Sequence, residues 1–416
     1  MTTLVIGAGV IGTTLAYELA RAGEKVIVAD AAAGPALETS FANGSLITPS
    51  MSDPWASPGV PRMMLKYLGR EDAPFLVRAR SLAAMAGWGL AFLRNCGAER
   101  WRRNTCAVFP LAQYSRDRLD AITRELGLDY DRFGGGTLRI HADAASMRAA
   151  EAALAIYREL GCEIGVLNRD QCLAMEPSLR PVANDIHGGF HFPGDRSGDC
   201  HIFTNQLAAH ARALGVAFQF NCKVSGLRRG NGRIEAALTS TGVIEADHFV
   251  LAAGTSSPLL GRQIGLRIPV YPVKGYSATF DIAGWNQPPS VPFVDNARKI
   301  AVVRMGSRVR IAGTAEFSGY DHRDNAIRSG VLLKHFRALF PESKGVGPAQ
   351  HWHGLRPMSP DGRPYVGRTA FSNLYINTGH GPLGWTLACG SARALAQLMG
   401  SAPPDIDLAP FALARP

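Results

Sequence analysis

The chain has no run of about 18 apolar residues, the length a helix needs to cross a bilayer, so no membrane-spanning helix is expected. It also lacks C-x-x-C pairs. The seven cysteines, Cys96, Cys106, Cys162, Cys172, Cys200, Cys222 and Cys389, are an odd number at scattered spacings. That argues against a disulfide framework or a thiolate metal site and fits reduced, mostly buried thiols in a cytoplasmic setting. No metal-ligand set is read anywhere in the sequence, and no signal peptide is expected, because an apolar strand already begins at Thr3. Internal repeats and low-complexity tracts are missing. The excess of 44 Lys and Arg over 34 Asp and Glu, a net charge of +10, is spread along the chain. Without a clustered basic stripe and interleaved aromatics it argues against nucleic acid as a partner. A solvated basic surface, compatible with an anionic cofactor and acidic substrates, is the better reading.

What is present is an ordinary globular composition, 46% hydrophobic with 19% charged, in 416 residues, which is enough chain for two or three domains' worth of core. The first thirty residues organise it. Residues 3–6 are a short apolar run fit for a buried parallel strand, followed by Gly7, Gly9 and Gly12 as G-x-G-x-x-G. A helix follows, with Ile11, Leu15 and Leu19 on one face and Gly23 where a C-terminal cap belongs. A second strand over 25–29 ends on Asp30. Each glycine answers a physical need: Gly7 allows the tight turn, Gly9 lets the backbone approach a pyrophosphate closely, and Gly12 lets helix and strand pack together. The phosphates then face free amides at the helix N-terminus, and Asp30 accepts from ribose hydroxyls. Only alanines follow Asp30, which argues against NADP.

No second G-x-G-x-x-G occurs, so nothing marks a separate nicotinamide domain and electrons are expected to enter from the substrate. Helices are predicted over 74–93, 111–126, 144–160, 202–214 and 327–340 from apolar periodicity. Strands are predicted over 186–192, 217–220 and 223–227. A hairpin turns at Gly230-Asn231-Gly232. Residues 249–254 form an apolar strand ending in small residues, where a ligand can cross the sheet. The C-terminal part reads as strand (374–377), glycine turn (379–381) and helix (383–399), whose first amides suit the N1–C2=O edge of a flavin. Arg356 carries a bidentate, permanently charged fork suited to a substrate carboxylate, or to a structural salt bridge.

Several stretches together resemble the small, flavin-carrying subunit of bacterial D-amino acid dehydrogenases, within the D-amino acid oxidase-like flavoprotein group. They are 37–45, Asp53-Pro54-Trp55-Ala56, Pro58-Gly59-Val60-Pro61, Arg94-Asn95-Cys96, Gly135-Gly136-Thr137-Leu138, Gly198-Asp199-Cys200, 271–277, Gly354-Leu355-Arg356-Pro357-Met358 and 377–391. They run over nearly the whole chain.

The resemblance implies a Rossmann-like α/β FAD-binding domain, a parallel sheet with helices, interwoven with a mostly antiparallel α+β substrate domain. Segments 1–50, 195–265 and 350–416 would form the first, and 51–194 and 266–349 the second with its helical cap. It implies FAD held by Gly7, Gly9, Gly12, Asp30, Asn43, Gly44, Val224, Ala253, Gly254, Gly379, Gly381, Leu383, Gly384 and Trp385. No cysteine lies in 351–361, where related sarcosine oxidases tether their flavin, so noncovalent FAD is expected. The implied reaction is oxidative deamination of D-amino acids to 2-oxo acids and ammonia by hydride transfer to flavin N5, with electrons passed to a quinone or respiratory acceptor. Arg356 would hold the carboxylate. His380 would orient substrate or flavin, or be structural, and Tyr276 would close the pocket, bond the carboxylate or serve as a structural hydroxyl. The alternative substrate is a cyclic D-imino acid such as D-proline or D-hydroxyproline. Peripheral association with the cytoplasmic face of the inner membrane and a partner subunit accompany the resemblance.

Overall fold

In the computed structural model, which describes residues 1–67, 69–343 and 346–415, strand Thr2–Ile6 sits in the middle of a six-stranded sheet. Leu68, Lys344, Gly345 and Pro416, which fall within segments 51–194, 266–349 and 350–416, lie outside the described residues. Thr2–Ile6 pairs in parallel with Lys25–Ala29 on one side and with His248–Leu251 on the other. Leu374–Thr378 continues the parallel order beyond His248–Leu251, and Ala217–Gln219 continues it beyond Lys25–Ala29. Only the edge strand Tyr365–Arg368 is antiparallel. Strands covered on both faces must be apolar throughout, as Leu4, Val5, Phe249, Val250, Leu374 and Ile376 are.

One face of this sheet packs on helices Val10–Arg21, Cys200–Ala213 and Gly384–Met399, with Ala98–Leu126 behind them, through Leu15, Leu207, Leu387 and Leu119. The other face packs on a three-stranded antiparallel sheet, Val224–Gly230, Arg233–Thr239 and Gly242–Glu245, through Ile234 and Ala237. The hairpin between its first two strands turns at Asn231 and Gly232, both at positive φ, as the Asn-Gly pair predicts.

A second, nine-stranded sheet is mostly antiparallel. Its long members are Tyr271–Asp281, Arg308–Phe317 and Gln350–Met358. Helix Ala326–Leu339 covers it, and Leu332 and Phe336 pack on Ala278 and Ile311 in a core of its own. The architecture is thus α/β for the parallel sheet and α+β for the second, as the sequence implied.

Two helices depart from their predicted bounds for physical reasons. The 74–93 pattern begins as a strand, Phe75–Val77, paired in parallel with Arg308–Phe317, and the helix is Leu82–Asn95. Phe75 stacks on Phe317 and meets Trp55 edge-on, and Arg78 Nε donates to Glu316 Oε1 at 2.6 Å, so tertiary contacts set the backbone there. The helix predicted over 111–126 runs Ala98–Leu126, straight past Pro110. An internal proline costs roughly 3 kcal/mol. Val108, Phe109, Leu111 and Ala112 are all fully buried around it, and at about 1.5–3 kcal/mol per large buried side chain their packing outweighs that cost.

Candidate active site

The two sheets meet at a cavity of about 730 Å³. Carboxyl ends of the parallel strands open into it, bringing Gly7, Ala252, Ala253, Gly254 and Thr378 to its wall. Helix Val10–Arg21 starts there on Gly9, and helix Gly384–Met399 starts there on Leu383. Neither N-cap residue supplies a side-chain cap and neither helix has an acid in its first turn, although the Val10 amide donates to Ser40 Oγ at 3.1 Å. Positive dipole ends without an acid beside them are suited to anions.

The glycines act as the motif requires. Gly7 holds φ +111°, and a Cβ there would fall 2.7 Å from Ala252 O. A Cβ on Gly12 would fall 1.9 Å from Gly7 O, so Gly12 sets how closely the helix lies on the turn and does not itself line the cavity. Asp30 lines it and accepts from the Ala8 and Ala32 amides at 2.6 and 2.7 Å, which fixes the carboxylate at the end of its strand. Asn43, Gly44, Val224, Gly381, Leu383, Gly384 and Trp385 also line it. Gly379 does not. At φ +81° and with a Cβ position 3.0 Å from Tyr365 Cδ2, it shapes the loop. Asn377 and Trp385 line the cavity, yet the Asn377 amide and Trp385 Nε1 are buried without a hydrogen-bond partner. Orphaned polar atoms of this kind are costly unless a bound group satisfies them.

At the other end stands Arg356, on strand Gln350–Met358. Its Nη1 donates to Thr314 O at 3.2 Å, and its guanidinium lies 5.6 Å from the Trp55 ring centre. Among the described residues no carboxylate pairs with it. Burial alone lowers its pKa to about 10, so it is still a cation at neutral pH. Tyr276 is buried and lines the cavity, but its hydroxyl donates to Glu316, which also holds Arg78. Burial first, and then that carboxylate, push the phenol's pKa well up. His380 is buried with Nε2 3.3 Å from Ser391 Oγ on the last helix.

Burial lowers the pKa of His380 to about 3 and that of His141 to about 4, from an ordinary 6.5. Both imidazoles are therefore neutral in the native state over the usual working range. The unfolded chain takes up these protons near pH 6.5 and the native one does not, so stability is full above that pH and falls as pH drops toward 4. His380→Gln is expected to flatten the decline in Tm between pH 7 and 5. Equal slopes for wild type and variant would contradict the assignment.

The model of the FAD-dependent oxidoreductase family matches residues 2–398. The chain belongs to that family. The flavoprotein is 45% identical to the D-amino acid dehydrogenase of Dechloromonas aromatica and 41% identical to that of Bradyrhizobium diazoefficiens, over 99–100% of this chain and 99% of each relative. Its fold is that of glycine oxidase from Geobacillus kaustophilus, with TM-score 0.79 at 22% identity over 100% of this chain and 98% of the other. L-Proline dehydrogenase from P. horikoshii gives TM-score 0.79 at 17% identity over 99% and 96%. FAD is accordingly the cofactor, and the acid-free helix ends, close-packed glycines and unsatisfied Asn377 and Trp385 atoms fit it.

Sequence reasoning missed the clamp on the cofactor loop. Ser45, at φ +57°, donates its amide to Asn43 Oδ1. Arg310 Nη1 reaches Ser45 Oγ at 2.9 Å, and Ser277 Oγ donates to Ala42 O at 2.7 Å. The second sheet therefore fixes a loop that belongs to the first. Arg310 sits in an alternating strand pattern where a charge ordinarily means solvent, so nothing local marked it.

Proposed function

We propose that the flavoprotein oxidises D-amino acids to 2-oxo acids and ammonia as a dehydrogenase. The observation that carries this reading is Arg356, a half-buried cation without an acidic partner among the described residues, in the cavity that the cofactor-binding glycines share. A cation in that setting calls for an anionic ligand, and a planar fork for a carboxylate. Names of full-length relatives at 41–45% identity point the same way.

FAD, when bound, supplies the two-electron oxidant by accepting hydride from the substrate Cα. The chain's own part is positioning. Arg356 fixes the carboxylate and thereby the Cα–H. The substrate's neutral amine supplies the lone pair that drives hydride departure, so no strong protein base is required, and water hydrolyses the released imino acid. His380, held neutral against Ser391, positions the glycine loop. Tyr276, whose proton is committed to Glu316, forms a fixed wall. Gly7, Gly9, Gly12, Asp30, Asn43, Gly44, Val224, Ala253, Gly254, Gly379, Gly381, Leu383, Gly384 and Trp385 hold the cofactor, directly or by shaping the loops that do. Noncovalent binding accords with a cavity wall that includes none of the seven cysteines.

Segments 1–50, 195–265 and 350–416 make the cofactor domain in this reading, and 51–194 and 266–349 the substrate domain. Strand Gln350–Met358 is the part of the former that completes the second sheet against Tyr271–Asp281. The acceptor is a quinone or the respiratory chain, reached from the cytoplasmic face of the membrane. Leu82, Leu90 and Leu93, half-exposed on helix Leu82–Asn95, support peripheral contact. Among the described residues no helix is long and apolar enough to cross a membrane.

Anaerobic bleaching of the yellow protein by a panel of D- and L-amino acids tests the reading. Rapid bleaching by D-alanine is expected. Bleaching by D-proline or D-hydroxyproline alone would reassign the substrate to cyclic imino acids, and bleaching by none would overturn the proposal. Peroxide formed in air at the turnover rate would replace the quinone by oxygen.

A further inference from the structure

Among the described residues no acid holds Arg356, so its orientation must come from elsewhere. Its guanidinium crosses the neighbouring strand Tyr271–Asp281 above Gly275. A Cβ on Gly275 would lie 2.3 Å from Arg356 Cζ and 2.4 Å from Nη1, so the guanidinium would have to swing away from its present place. Beyond Gly275 the ladder is irregular. Tyr276 pairs with Gly313 and Lys274 with Glu316, so Thr314 and Ala315 together oppose the single residue Gly275. That is a β-bulge, and bulges turn backbone groups out of the ladder. Thr314 takes φ +56°, a left-handed conformation that a β-branched residue adopts only when its surroundings force it. The carbonyl freed by this turn is the one that accepts from Arg356 Nη1.

We propose that Gly275 and the bulged Thr314 form a purpose-built seat that aims Arg356 into the cavity and so sets the affinity for the substrate carboxylate. Gly275 supplies the empty space, and Thr314 supplies the carbonyl. Both are positioning residues, and the inference rests on the carboxylate role given to Arg356 above.

The test is a double-mutant cycle on the FAD-loaded enzyme, with Gly275→Ala, Arg356→Ala and the two combined. The readouts are the Kd of benzoate from the flavin spectrum, the KM and kcat for D-alanine, and Tm. Gly275→Ala alone is expected to raise Kd and KM by about 10- to 100-fold with kcat changed by less than about threefold, the pattern of lost uniform binding. In the Arg356→Ala background, where the methyl has room, it should change Kd by less than about twofold. An equal effect in both backgrounds would overturn the seat. If Gly275→Ala fails to fold while the double variant folds, the clash with the guanidinium is demonstrated directly. If both fail, Gly275 is needed for another reason and the proposal falls. Bleaching of wild type by amino acids is read separately. A protein that no amino acid reduces, yet binds benzoate with the expected coupling, would lose its substrate assignment and keep the seat.

Discussion

Replacing Arg356 by alanine is expected to raise the KM for D-alanine by about 10²- to 10³-fold and to lower kcat much less. Truncating one partner of a buried charge-assisted pair costs about 3–4 kcal/mol, and each 1.4 kcal/mol is a factor of ten. The charge serves ground state and transition state alike, because the carboxylate does not react, so the loss falls on KM. Arg356→Lys keeps a charge but not the planar fork, and should recover only part of the affinity. The same substitution should not harm stability. A cation whose pKa burial has lowered to about 10, with no acid beside it, is a cost to the folded state that the substrate relieves. Arg356→Ala is thus expected to match or exceed wild type in Tm while losing substrate affinity, a combination typical of a binding group. An unchanged KM would show that the carboxylate is held elsewhere and would falsify the assignment.

The contrast between Arg356 and the residues that seat it shows which parts of the molecule could be read from sequence. The first strand, the glycine turn, the helix and Asp30 lie within thirty consecutive residues, and so do the contacts that shape the turn, Gly12 against Gly7 and Asp30 on the Ala8 amide. Their spacing alone therefore specified the strand Thr2–Ile6, the helix Val10–Arg21 and the strand Lys25–Ala29 almost to the residue. The second half of the cavity is assembled across a sheet whose members are far apart in the chain. Gly275 matters because of Arg356, 81 positions later. Thr314 matters because the register slips by one residue opposite Gly275. Periodicity carries no information on such a slip. A glycine inside a strand pattern does hint at a close approach, and Gly275 was legible to that extent. The same limit explains the 74–93 segment, where the partner that makes Phe75–Val77 a strand is Arg308–Phe317. His380 illustrates the reverse case. The glycine loop around it was plain in the sequence, but its neutral state follows from burial beneath the last helix, which only the packing reveals.

The second large effect is expected at Gly12, which touches no cavity. An alanine methyl there would have to sit 1.9 Å from Gly7 O and 3.3 Å from Val5 Cγ1. The carbonyl belongs to backbone that is itself pinned: Gly7 donates its amide to Ala29 O at 2.9 Å and cannot take a Cβ against Ala252. Relief must therefore come from the helix moving outward by more than an ångström. That movement carries the helix N-terminus away from the place proposed for the pyrophosphate and breaks its packing through Leu15 and Leu19. Overpacking of this kind costs about 1–3 kcal/mol and sometimes more. Gly12→Ala is expected to be purified with little flavin, seen as a collapsed ratio of absorbance at 450 nm to that at 280 nm, and with a Tm about 1–3 °C lower, in line with about 1 °C per kcal/mol for a chain of 416 residues. Gly9→Ala provides the comparison, since its methyl would lie an ordinary 3.4 Å from Ser40 Oγ. It should keep its Tm as apoprotein and lose flavin affinity only because the backbone can no longer approach the phosphate. If Gly12→Ala instead retained full flavin and wild-type Tm, the helix would have slack that the structure does not show, and close packing at this position would not be what holds the cofactor end of the cavity in shape.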